Sequence, residues 1–231
     1  MSESAAAYED IAREACRRWA DVDRRLKDVT CGLVAYHEAG HAVACYALLV
    51  QPEWIWAGAD GGTVSPGMRV AVAAALGKPP RWLTNRLVVQ SLAGRVAEAV
   101  VTGSIQYYSN GKGGDDRYME ARAMDAIAPG FAKTREGRHY RDRLRRATRA
   151  FVRTWWPEID ALARALWSRA VADEDFIAGM PGREAAAIIR AVRSRRPAPM
   201  PSDAPESLHW PSSEEMVQQA MQAQQQAAAS N

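Results

Sequence analysis

From Ala5 to Val29 the apolar residues Tyr8, Ile11, Ala12, Ala15, Trp19, Val22 and Leu26 recur at three- and four-residue steps. That spacing places them on one face of an α-helix. Cys31-Gly32 predicts an interruption, after which Leu33 to Leu49 reads as a second, more apolar and therefore buried helix. Between Pro52 and Gly67 the pattern shortens. Trp54, Ile55 and Trp56 precede Gly58, Gly61, Gly62, Pro66 and Gly67, which predicts short strands and tight turns. A helix is expected from Arg81, after Pro79-Pro80, to Val101, closed by Gly103. Ser104 to Gly114 reads as a loop. Asp115 and Asp116 then stand at a helix start, where short carboxylates accept from free backbone N–H groups. That helix carries Met119, Ala123, Met124 and Ile127 as far as Pro129-Gly130. Helices over Glu136–Trp156, Glu158–Val171 and Arg183–Arg193 complete a mainly α fold with one small β-hairpin or strand segment.

The character changes at Pro197, where prolines give way to a Gln/Ala run ending at Asn231. Such a composition buries too little apolar area to offset its ordering entropy, so 196–231 is expected to be a disordered tail. The chain thus divides into an N-terminal amphipathic helix (1–30), a folded body (31–195) and this tail. At 231 residues, 48% hydrophobic and 25% charged, it is ordinary globular material. The net charge of +3 does not by itself argue for a nucleic-acid binder. Lys133 to Arg153 is strongly basic, but Leu144, Ala147, Phe151 and Trp155 give it a core side, so a solvated helix face is expected. No apolar run approaches the ~20 residues that span a bilayer, and the opening residues do not read as a secretory signal. Three cysteines without Cys-x-x-Cys spacing suggest a reduced, cytoplasmic chain.

The most informative residues are His37-Glu38-Ala39-Gly40-His41. Two histidines four apart project from one helix face and can bind a single zinc ion, with Glu38 beside it as general base. The flanks Val34, Ala35, Ala42 and Val43 are apolar. Burying two imidazoles and a carboxylate there costs several kcal/mol unless a partner such as a metal compensates. A third ligand is needed. Ala47 and Ala44 exclude the extended motif that supplies a third histidine. Glu98 on the Arg81–Val101 helix is one candidate, and Asp115 and Asp116 are others. His139 and His209 read as surface residues, Cys45 as a small buried hydrophobe, and Tyr107 and Tyr108 as packing beneath the loop. The Gly61–Gly67 segment has the character of an edge strand able to accept an extended peptide.

Val34 to Ala42 resembles the zinc helix of the FtsH-type metallopeptidases. Ser91-Leu92-Ala93-Gly94-Arg95-Val96-Ala97-Glu98 is similar to a second helix of that family, and Ser109 to Asp116 to its Gly/Ser-rich loop before a ligating aspartate. The likeness covers about residues 33–193. It implies a helical zinc-peptidase domain with His37, His41 and Asp116 (alternatively Asp115) on the metal, Glu38 catalytic and Glu98 structural. Aligning Met124 and Ile127 with the family's buried positions favours Asp116. The family's single aspartate before an apolar residue is here Asp115-Asp116-Arg117, and no phosphate-binding loop is present. The expectation is therefore a stand-alone zinc endopeptidase without its own ATPase, acting on peptides or unfolded segments. It would work as a homo-oligomer or with a separate unfoldase. The alternative is a catalytically silent, zinc-stabilised adaptor on the same fold.

Overall fold

The computed structural model describes residues 3–49, 51–66, 81–103, 120–121, 124–125 and 127–194, with the side chains at 3–19, 22, 66 and 81 left outside that description. The expected Ser104–Gly114 loop, Asp115, Asp116, Tyr107, Tyr108, His209 and the 196–231 tail lie outside the described residues.

The chain opens with one helix, α1 (Glu3–Leu48), which runs 46 residues without a break. The interruption expected at Cys31-Gly32 is absent. An interior glycine costs a helix about 1 kcal/mol relative to alanine, and tertiary contact outweighs that here. A Cβ on Gly32 would stand 3.1 Å from the Trp167 indole, so the missing side chain makes room for that ring. Beside it, the buried Cys31 thiol donates to the Phe176 carbonyl. The glycine that reads as a stop is a packing site.

Next come β1 (Pro52–Gly58) and β2 (Gly61–Pro66), an antiparallel hairpin joined at Ala59-Asp60. Helix α2 spans Arg81–Thr102 and ends at Gly103, whose φ of 69° is left-handed. A short 3-10 turn at Phe131–Lys133 leads into α3 (Arg135–Thr154), where the Thr134 hydroxyl accepts from the Gly137 amide at the N-cap. Helix α4 (Trp156–Ala172) follows at once because Pro157 fits a first helical turn but no helix interior. The last elements are β3 (Ile177–Pro181) and α5 (Gly182–Arg193).

Strand β3, which the sequence pattern does not announce, pairs antiparallel with β1, so the sheet order is β2-β1-β3. Ile55 and Ala57 of β1 and Ala178 and Met180 of β3 are buried on the face toward the helices. The second half of α1 is the axis of the core. Ala35, Ala39, Ala42, Val43 and Cys45 are fully buried among residues of α2, α4, α5 and the sheet. A second cluster joins Val88 and Leu92 of α2 to Tyr140 and Leu144 of α3, with Met124 fully buried between them. Phe151 and Trp155 are buried as the core side of α3 demands, while His139, Arg146 and Arg149 are exposed. No described helix is long and apolar enough to cross a membrane.

Candidate metal centre

Helix α1 carries His37, Glu38 and His41 into the angle between α2 and the hairpin. Glu38 and His41 are almost fully buried, at 5% and 6% exposure, and His37 is partly so. One turn apart, the two imidazoles meet edge to face with their Nε2 atoms 3.0 Å apart.

The opposite ring nitrogens explain that orientation. His41 Nδ1 lies 2.7 Å from the Gln90 carbonyl, which can only accept, so this nitrogen carries its proton. His37 Nδ1 lies 3.2 Å from Glu98 Oε2 and donates to that carboxylate. In the neutral rings both Nε2 atoms then present lone pairs to each other across 3.0 Å. Two lone pairs at that range repel unless a cation stands between or beside them. A proton shared by the pair, or a metal ion, satisfies the arrangement. Two nitrogen ligands about 2.05 Å from a tetrahedral zinc stand roughly 3.3 Å apart, within a few tenths of an ångström of what is found.

Two glycines keep the surroundings open. A Cβ on Gly94 would sit 2.5 Å from His41 Nε2 and 2.8 Å from the His37 carbonyl. Helical side chains lean back over the preceding turn, so a side chain at 94 would fill the space beside that nitrogen and screen the Gln90 carbonyl. Gly40 acts in the same way from α1, where a Cβ would stand 2.6 Å from the Ala93 carbonyl. Two imidazole nitrogens are the donor type that zinc takes, and among the described residues they are two donors where a catalytic site uses three. Gly62 of β2 lies against Glu38, since a Cβ there would come within 2.4 Å of its Cγ and 2.7 Å of Oε1.

Glu98 stands on the Nδ1 side of His37 and not at the Nε2 atoms, so it serves the imidazole as a partner and not as the third ligand. Its Oε2 contacts the ring of His37, in a structural role. It is nine-tenths buried, and Oε1 has no hydrogen-bond partner among the described residues. Carboxylates so placed orient a ligating imidazole and raise its basicity.

A second chain of contacts holds the same stretch of α1 from the other side. Tyr36 stacks on Trp156 and its hydroxyl donates to Asp160 Oδ1 at 2.6 Å, while Arg164 Nε donates to Oδ2 at 2.8 Å. Burial and the hydrogen bond to Asp160 push the Tyr36 phenol up to about 12. Burial raises the Asp160 carboxyl, but the hydrogen bonds from Arg164 and Tyr36 outweigh it and hold the group below the usual carboxylate range.

The structure thus brings together the imidazoles of His37 and His41, places the buried Glu38 against Gly62, and leaves Asp115 and Asp116 outside the described residues. Among the described residues no group of three or more His, Cys, Asp or Glu converges on one point. Cys45 is buried in the core, in keeping with its reading as a small hydrophobe. The Gln90 carbonyl and the spacing roles of Gly94 and Gly62 are not evident from the sequence pattern alone. The available signal was Gly94 itself, a helix-interior glycine that no turn requires. Compared with protein-family models the chain matches none, and no curated protein matches it.

Proposed function

We propose that this chain is a zinc-dependent endopeptidase of the FtsH type, acting on peptides or unfolded protein segments without an ATPase module of its own. The observation that carries this reading is the His37–His41 pair. Both Nδ1 atoms are committed to oxygen acceptors, both Nε2 atoms face each other, and Glu38 is buried one residue away.

His37 and His41 are the two imidazole ligands, and Glu98 and the Gln90 carbonyl fix their tautomers. We assign the third ligand to Asp116, with Asp115 the alternative. The burial of Met124 and the packing of Ile127 on the same cluster support the alignment that favours Asp116. A bound zinc ion would lower the pKa of water toward ~7 and polarise the substrate carbonyl as a Lewis acid. Glu38 takes the proton from the attacking water as general base and passes it to the leaving amine as the C–N bond breaks. Its burial against Gly62 limits the positions its carboxylate can take. Strand β2 pairs with β1 on one side only among the described residues. An extended peptide that adds to its other edge is aligned by backbone hydrogen bonds over the strand that touches Glu38.

Metal content and proteolysis, measured together, test the reading. One zinc per chain is expected, with hydrolysis of unfolded casein. Glu38→Gln should keep the metal and lose the hydrolysis, and Asp116→Ala should lose the metal. Wild-type protein that binds no zinc overturns the proposal. One zinc per chain without cleavage selects the silent adaptor instead.

A further inference from the structure

The N-terminal half of α1 carries an apolar stripe whose described members Leu26 and Val29 stand exposed, before the body covers it at Tyr36. From Ala12 to Tyr36 every position on an alternating three- and four-residue step is apolar, with Trp19, Val22, Leu26 and Val29 at its middle. That is a period of 3.5, the repeat of a two-stranded coiled coil and narrower than the band a globular core requires. Leu26 and Val29 are 63% and 58% exposed. The body does not cover them because it holds another face of the helix. Trp167 Nε1 donates to Asp28 and the Trp167 ring sits on Gly32.

Helix α2 also ends in exposed apolar residues. His41 meets Gln90, Gly40 meets Ala93, and His37 meets Glu98, so α1 and α2 run antiparallel. One more turn in that register sets the end of α2 beside the point where α1 leaves the body. Val100 and Val101, at 48% and 43% exposure, lie there. Leu26, Val29, Val100 and Val101 make up four of the six large hydrophobic residues that stand exposed among the described residues.

We propose that α1 pairs in parallel with α1 of a second copy of this chain, making a dimer whose two bodies emerge side by side at the C-terminal end of the coil. Charge decides both the occupant and its direction. Arg18 and Arg25 flank the stripe on one side, and Asp23, which pairs with Lys27 of its own helix at 3.0 Å through one carboxylate oxygen, flanks it on the other. In a parallel pair Arg18 of each chain faces Asp23 of the other, whereas an antiparallel pair sets the arginine flanks against each other. About 25 residues of helix, some 37 Å, are available before the body begins, enough for more than three heptads. Pairing through α1 is independent of the chemistry at His37 and needs no metal.

Sedimentation velocity of the full chain at tens of micromolar tests it. A species of twice the 25.4 kDa chain mass is expected. Leu26→Asp should give a monomer, and since Leu26 is exposed the body should fold as before. Arg18→Asp should weaken the dimer at least tenfold, and adding Asp23→Arg should restore it, a rescue specific to the parallel register. A wild-type monomer overturns the proposal. So does a dimer indifferent to Leu26→Asp, or one that the double charge swap fails to rescue.

Discussion

The two halves of α1 share one helix and one apolar rhythm, yet they have opposite surroundings. Around Ala20 to Val29 the helix stands largely in solvent, and Leu26 and Val29 are exposed. From Cys31 to Leu49 it is wrapped by α2, α4 and the sheet, and seven of its residues between Ala35 and Cys45 are small or β-branched and wholly buried or nearly so. A long side chain on the first half meets water, whereas on the second it meets another backbone. The lesson is that periodicity reports which face is apolar, and the size of the residues on that face reports how closely another element approaches. Ala35, Ala39, Gly40 and Ala42 mark a close crossing, and the ionisable groups of the site occupy the margin of that crossing.

This contrast can be broken in several places. The largest effect is expected at Glu38, where Gln should lower proteolysis by about 10²–10⁴-fold with zinc retained, read by steady-state assay beside metal analysis. Gly94→Ala drives a methyl group to within 2.5 Å of His41 Nε2, so zinc should be lost or weakened by more than ~100-fold while the fold persists by circular dichroism. Glu98→Gln keeps a weaker acceptor for His37 Nδ1 and should cost about 10–100-fold in zinc affinity, measured by competition with a chelator.

The two halves can then be compared by a single substitution. Ala39→Leu overpacks a closed crossing and should destabilise by about 1–3 kcal/mol, whereas Ala20→Leu, at an exposed position, should stay within about 0.5 kcal/mol. Chemical denaturation of both variants checks this. Equal effects would show that the halves do not differ as described.

The smallest effect is a pH dependence at the anchor of the buried half. The Asp160 carboxyl is held below its unfolded value of about 3.9, so its contribution is complete above that pH and is lost as acid protonates the folded group. Wild type should therefore exceed Asp160→Asn in stability at neutral pH, with the gap narrowing below about pH 4. Tyr36 works in the other direction. Its phenol, raised to about 12, stabilises fully below about pH 10 and ceases to do so as pH passes 12. Denaturation midpoints across pH would reveal both limbs.

Most of the helices and the candidate metal pair were legible because they rest on local chemistry. An i, i+4 pair of histidines lies on one face of any helix that forms, and Gly103 marks a helix end through its own backbone preference. Three features were not legible. Gly32 reads as a stop by propensity, yet Trp167, 135 positions further on, makes it a contact. Strand β3 is five residues long and takes its identity from pairing with β1, more than a hundred residues away. The acceptors behind the imidazoles are a backbone carbonyl and a carboxylate on another helix, and neither has a local signature.

By itself, then, the order of residues determined the helical periods, the apolar stripe of α1 and the spacing of His37, Glu38 and His41, since each depends on dihedral preference and the 3.6-residue turn. The tertiary structure alone decided which half of α1 is enclosed, which nitrogen of each imidazole carries the proton, and why Gly62 and Gly94 carry no side chain. Those outcomes turn on distances between elements remote in sequence, and no local preference encodes such distances.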